Sequence, residues 1–264
     1  MKDLDLVCQR DAISILHEYA KSRSHSVLIE GPESCGKSYL ANQYGRCMLN
    51  INDIFVVQPN VSSIRTVIED CYKFTNPIVI VIENLDLGVK SASYALLKFL
   101  EEPASHVYIV VTCRNIKNIP DTIVSRSLSV SCAPPIDSDI EQFASAYNFD
   151  KYHTVSNKQI WKCVHTFNDA IQVLDMTPEQ FTYFDSLDSM THFRDTISNM
   201  MWKLGHYSDN SETPINLVIE YLMTICNNNH IKAAGIQCLR DLSSCRIASH
   251  SAIAKFLFEA KYCE

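Results

Sequence analysis

The sequence predicts an α/β domain built on a parallel sheet and followed by helical units. Two observations carry the prediction. Within residues 1–134 the apolar runs "SVLIE", "DIFVV", "PIVIVIE" and "HVYIVVT" are interleaved with helical patterns, and none of them alternates apolar with polar residues. Runs of β-branched residues without alternation belong to strands covered on both faces, the environment of a parallel sheet. After "CAPPID" at 132–137 the strand signals fade and amphipathic helical stretches take over. The predicted organisation is an α/β nucleotide-binding domain over 1–134, a small helical domain over 135–177 and a second all-helical domain over 178–264, the last boundary lying beside "MTPEQ".

Between the first predicted strand and the helical "YLANQYGRCML" lies "GPESCGKS", residues 31–38. It fits the pattern G-x-x-x-x-G-K-[ST] in the strand-to-helix context that the chemistry needs. Consecutive backbone N–H groups and a helix N-terminus would face a phosphate, Lys37 would reach the outer phosphate oxygens, and the Ser38 hydroxyl would ligate Mg²⁺. Gly31, Pro32, Glu33, Ser34, Cys35, Gly36, Lys37 and Ser38 are therefore the expected binding segment for ATP or ADP. Ser34 stands where many such loops carry glycine, which predicts a slightly strained loop.

The third strand pattern ends in "IENLD", residues 82–86. A buried strand delivering carboxylates at its C-terminal end is where such a site places its metal ligand and its water-activating base. Asp then Glu is the usual pair, whereas this chain has Glu83 then Asn84. Glu83 can serve Mg²⁺, but the neutral amide of Asn84 cannot take a proton from water. If hydrolysis occurs here, Asp86 is the nearest acid to replace it.

A net charge of −7 argues against a chain that coats nucleic acid alone, because phosphate binding needs clustered Lys and Arg. The eleven cysteines are scattered without a C-x-x-C pair, which predicts buried thiols and no zinc site. No run of about 18 apolar residues occurs, so no membrane partner is expected.

The run "YALLKFLEEPASHVYIVVTCRNIKNIPDTIVSRSLSV", residues 94–130, resembles the core of AAA+ clamp loader subunits, the ATPases that open ring-shaped sliding clamps and place them on primed DNA. The phosphate loop and the "IEN" step fit the same pattern, as do "VSSIRTVIED" and "LVCQRDAISIL". The last resembles the family's box beside the adenine, with Val7 on the cofactor and Cys8 where glycine is common. The resemblance implies other clamp loader subunits, a sliding clamp and primer–template DNA as partners. It also implies the cytoplasm of a bacterial or phage-infected cell. It assigns Arg126 in "SRS" as an arginine finger that reaches the nucleotide of a neighbouring subunit; an internal salt bridge is the plainer reading. Ser127 replaces the family's usual cysteine.

Three positions depart from active members: Asn84 at the base, Arg114 where Thr or Asn commonly senses the γ-phosphate, and Asn168 in "HTFNDAI" where an ATP-contacting arginine is usual. Together they resemble the delta-prime kind of subunit, which binds nucleotide better than it hydrolyses it. The intact loop with Glu83 resembles the motor subunits instead. The interval between the loop and "IVIVIEN" is short and lacks zinc-binding cysteines, which resembles the compact phage loaders or the zinc-free eukaryotic and archaeal ones; richness in Asn, Ser and Ile leans toward a phage. For DNA, Ser63 and Arg65 at a helix start are candidates, with Lys90 a further one; a plain capped surface helix is the alternative. The apolar stripe of Trp202, Leu217, Ile219, Leu222, Leu239, Phe256 and Phe258 is expected to be helix core, and in part collar interface by resemblance.

Overall fold

β1 (Ser26–Glu30) and β3 (Ile78–Ile82) form where the sequence carries its unbroken apolar runs, and both are buried along nearly their whole length. This is a computed structural model, and it describes residues 9–156, 158–176, 215–225 and 229–244 with Ile253 and Phe256. β4 (Val107–Cys113) lies between β1 and β3 and is buried at every residue. β2 (Ile54–Val57) and β5 (Leu128–Ser131) complete a parallel sheet of order β2-β3-β4-β1-β5. Central strands need apolar residues on both faces; the two edge strands do not. Val56 is 52% exposed and only Val130 of β5 is buried. The "LSVS" of β5 therefore carries no unbroken run, and it was not among the strands expected.

α1 (Arg10–Lys21) turns Ala12, Leu16 and Ala20 inward at four-residue spacing. α2 (Lys37–Gln43) follows the glycine loop and continues into a widened turn over Tyr44–Met48. α3 (Val61–Cys71), α4 (Lys90–Glu101) and the short α5 (Asp121–Val124) are the remaining helices of this unit. Ile64, Leu96, Phe99 and Ile123 from these helices pack with Ile80, Ile109 and Val111 of the sheet in one apolar core.

The chain divides into two units, Met1–Asp139 and Ile140–Glu264. α6 (Asp137–Tyr147) leads into the second, followed by α7 (Phe149–Val155) and α8 (Phe167–Asp175). The stretch "NKQIWKCVHTF", expected to be helical, is a 3₁₀ segment at Gln159–Cys163. Thr166 then starts α8 with a capping box to Asp169, so the backbone must leave helical geometry just before it. α7, capped by Asn148, was not expected either. α9 (Ile215–Ile225) and α10 (Asn229–Ser244) match predicted helices. Of the expected stripe, Ile219, Leu222 and Phe256 are buried and Leu239 is half-buried. Leu217 lies in α9, while Trp202, Phe258 and the proposed 177/178 boundary fall outside the described residues. Among those residues no helix is long and apolar enough to cross a membrane.

Candidate nucleotide site

All five strands run parallel, so the segments after β1, β4 and β3 emerge side by side at one edge of the sheet. That edge, outside the strand C-termini, is where open α/β sheets bind ligands. The segment after β1 is the glycine loop. Gly36 has φ 96°, a left-handed conformation that glycine adopts without strain, and Ser34 has φ 55°, the strain its side chain predicts. No side chain caps the N-terminus of α2, which begins at Lys37. The Lys37 ammonium is buried and donates to the carbonyls of Gly31, at 2.8 Å, and Pro32. Ser38 is exposed on the first turn of α2.

Gln9 holds the loop from below. Its buried side-chain amide donates to the Cys35 carbonyl at 3.1 Å and the Ala133 carbonyl at 2.7 Å, and accepts from Ala133 N–H at 3.1 Å. A Cβ on Gly31 would lie 2.8 Å from both the Cys132 Cβ and the Cys35 Sγ, so only glycine fits between them. A hydrogen bond from Cys132, then the Lys37 charge, lower the Cys35 thiol to about 7 against the effect of burial. Gln9 lay in the quoted "LVCQRDAISIL" but had no expected role; a lone glutamine gives no signal of which carbonyls it will tie. Val7, two residues earlier, lies outside the described residues.

The corner after β3 differs from expectation at Asp86. Its carboxylate accepts the backbone N–H of Arg114 through both oxygens, each at 3.1 Å, and that of Asn115 at 3.2 Å. It is the anchor of the turn after β4, so it is not placed as a replacement base. Asn84 has φ 49° and ψ 51°, and its N–H donates to the Thr112 hydroxyl at 2.9 Å. Asparagine tolerates this left-handed conformation better than glutamate, which gives the substitution a backbone reason. Glu83 follows the last residue of β3 and is half-buried.

Arg114 joins the two corners. Its backbone is held by Asp86, and its guanidinium pairs with Glu33 of the glycine loop at 2.8 Å, leaving Nε buried without a hydrogen bond. Sequence reasoning found both residues but not their contact. A carboxylate in the loop and an arginine 81 positions later carry no spacing signal; the adjacency of β1 and β4 creates the pair.

Arg126 lies elsewhere. It precedes β5, whose Leu128 pairs in register with Val27 near the start of β1, so it sits at the opposite edge of the sheet from its own loop. A strand the length of β1 spans about 16 Å. The guanidinium donates to Glu101 at 3.0 Å and to the Thr122 carbonyl at 2.9 Å, and is about one third exposed. Neighbouring Ser127 pairs its hydroxyl with that of Ser26 at 2.7 Å, a role a thiol would fill less strongly.

Asn168 is exposed in the first turn of α8, in the second unit. Asn60 caps α3 by accepting from Ser63 N–H at 2.8 Å and from the Ser62 hydroxyl, as a plain surface helix would be capped. Arg65 and Lys90 are exposed.

A sequence model of the family described as DNA polymerase III, delta subunit matches residues 59–135. No curated protein matches the chain. Among solved structures, a DNA polymerase III, gamma subunit-related protein of Thermotoga maritima is 12% identical with a TM-score of 0.55, covering 95% of this chain and 99% of its own. The Thermotoga maritima RuvB Holliday junction branch migration motor is 13% identical with a TM-score of 0.52, covering 95% and 86%. A single-residue variant of that motor reaches 0.55 at 13% identity, covering 98% and 90%. These likenesses establish that the chain has the AAA+ P-loop fold.

Proposed function

We propose that this chain is a clamp loader subunit that binds ATP or ADP in its glycine loop, hydrolyses it weakly or not at all, and donates Arg126 to the nucleotide of a neighbouring subunit. The match to the DNA polymerase III, delta subunit family favours clamp loading over branch migration, which the fold alone would equally allow. The observation that carries the weak-hydrolysis reading is the corner after β3. Asn84 offers no base, and the Asp86 carboxylate holds the backbone N–H groups of Arg114 and Asn115.

The residues present fit a nucleotide with Mg²⁺. The uncapped start of α2 and the left-handed Gly36 suit an anion, and the donor set of Ser38 and Glu83 is the hard oxygen set Mg²⁺ prefers. Bound Mg²⁺ would neutralise phosphate charge. Lys37 keeps a donor beyond its two loop carbonyls for a phosphate oxygen, and Arg114 can exchange the Glu33 carboxylate for the outermost phosphate. Arg126, too distant for its own loop, suits a site in trans, where a fixed guanidinium stabilises transferring charge. Leaving Glu101 costs little, because exposed pairs are worth about 0.2–1 kcal/mol. Ser63, Arg65 and Lys90 are proposed to meet the primer–template DNA, and residues 178–264 to bind companion subunits.

Glu83 and the intact loop favour a second reading, an active DNA-dependent ATPase motor subunit. Steady-state ATP hydrolysis by the chain with its co-purifying partners, with and without primed DNA and clamp, separates the two. If Arg126→Ala abolishes turnover and Lys37→Ala leaves most of it, the chain is a finger donor. Loss with both variants makes it a motor.

A further inference from the structure

Three features of the loop's underside are not used by phosphate binding. Cys35 is fully buried beneath the loop crown and Cys132, just after β5, is 5% exposed. Their side chains converge above Gly31, where one missing Cβ leaves room for both. Two further contacts fix this approach independently: the single Gln9 amide bonds to residues 35 and 133 at once, and Cys132 N–H donates to the Glu30 carbonyl at 2.7 Å. The backbones carrying the two thiols are thus held side by side.

We propose that Cys35 and Cys132 are a modification site, a dithiol that a peroxide oxidises to a disulfide, and that this bond shuts the glycine loop to phosphate. The second half rests on the nucleotide-binding reading above. In the first step the Cys35 thiolate attacks one peroxide oxygen and the O–O bond breaks. Hydroxide departs and becomes water on taking the proton that Cys35 released. Cys132 sulfur then attacks the resulting sulfenic acid sulfur, and its proton leaves with the displaced hydroxide as a second water. Two electrons pass from the sulfurs to the peroxide. The third buried thiol nearby, Cys113, is pushed up to about 12 by burial and then by the charges of Asp86 and Glu30, so it competes poorly as a nucleophile.

The bond would change the loop because hydrogen-bonded thiols are farther apart than bonded ones. A disulfide brings the sulfurs to about 2.0 Å and requires well-directed Cβ atoms. Cys132 directly follows the paired Ser131 and its N–H is held by the Glu30 carbonyl, leaving the loop to move. Cys35 sits between Ser34 and Gly36, both in the left-handed region, where backbone N–H directions are sensitive to displacement.

The test uses the full chain, reduced or treated with hydrogen peroxide, followed by alkylation and non-reducing peptide mapping. Affinity for a fluorescent ATP analogue is read alongside. A peptide pair linking Cys35 to Cys132, at least tenfold weaker nucleotide binding, and recovery with dithiothreitol are expected. Cys132→Ala should bind nucleotide like the reduced chain and keep that affinity in peroxide; Cys132→Ser serves if the alanine variant does not fold. The proposal is overturned if no linked pair forms at peroxide levels that fully modify exposed Cys47. It is equally overturned if the pair forms with affinity unchanged, or if Cys132→Ala loses affinity like wild type. A reduced chain that binds no nucleotide sinks the functional reading and with it the shut-off, while the mapping still scores the disulfide.

Discussion

The loop after β1 and the corner after β3 share one edge of the sheet, yet they are built differently. In the loop, Gly36 takes a left-handed turn into the uncapped start of α2, and Lys37 bonds only loop carbonyls. In the corner, Asp86 accepts two backbone N–H groups and Asn84 is held through its own backbone, leaving half-buried Glu83 as the remaining acid. On the proposed reading, binding and hydrolysis rest on separate groups, and a fold can keep one while using the other's acids for its own turns. The contrast between Lys37 and Asn84 is therefore more informative than either residue alone.

The largest expected effect comes from the loop. Lys37→Ala should weaken ATP binding by at least about a hundredfold, as loss of a buried charge-assisted contact to phosphate does, and should also lower the folding free energy by about 1–2 kcal/mol because the Gly31 and Pro32 carbonyls lose their donor. Binding retained in a fluorescence titration would break the comparison at its first term. Next is Asp86→Ala, which strands two backbone donors and should lower the folding free energy by about 2 kcal/mol in denaturant unfolding. A change within error would mean that the corner is not spent on structure.

Asn84→Glu restores a base and should raise turnover in the assembled complex by about tenfold. This falls short of the usual general-base gain because the left-handed backbone disfavours glutamate. No gain would place the block elsewhere, with Arg114 the first suspect. Glu33→Gln removes the carboxylate from Arg114 and should tighten ATP relative to ADP by about threefold, the scale of an exposed ion pair. Equal effects on both nucleotides would exclude Arg114 as a γ-phosphate contact.

The smallest effect belongs to the second unit. Burial, and after it the Asp169 charge, raise the Glu220 carboxyl above its ordinary value. The folded state then favours the protonated form. Ionised Glu220 opposes folding at neutral pH, and that penalty fades as pH falls through the raised value toward the ordinary carboxylate range. Glu220→Gln should stabilise the chain by under about 1 kcal/mol at pH 7 and flatten the acid side of its stability profile; an unchanged profile would count against this assignment.

Much of the fold was legible where local chemistry and burial agree. The four unbroken apolar runs became β1 to β4 within a residue or two of their quoted limits; β1, β3 and β4 are central and must be apolar on both faces, while the edge strand β2 was legible only because "IFVV" is apolar throughout. β5 was not, since an edge strand with one buried residue leaves no pattern. The 3₁₀ segment at Gln159–Cys163 misled for a related reason: its apolar spacing is helical, but the capping box at Thr166 restarts the chain just beyond it.

By itself the sequence determined the loop, because glycine, lysine and serine at fixed spacing act through their own backbone and side chains within eight residues. It likewise determined that Asn84 is no base, since an amide has no proton affinity to offer wherever it sits. Only the tertiary structure decided what Asp86 does, which carboxylate meets Arg114, and on which edge Arg126 stands. Those facts depend on strand order, and parallel pairing places β4 between β3 and β1, bringing together residues that no sequence interval relates.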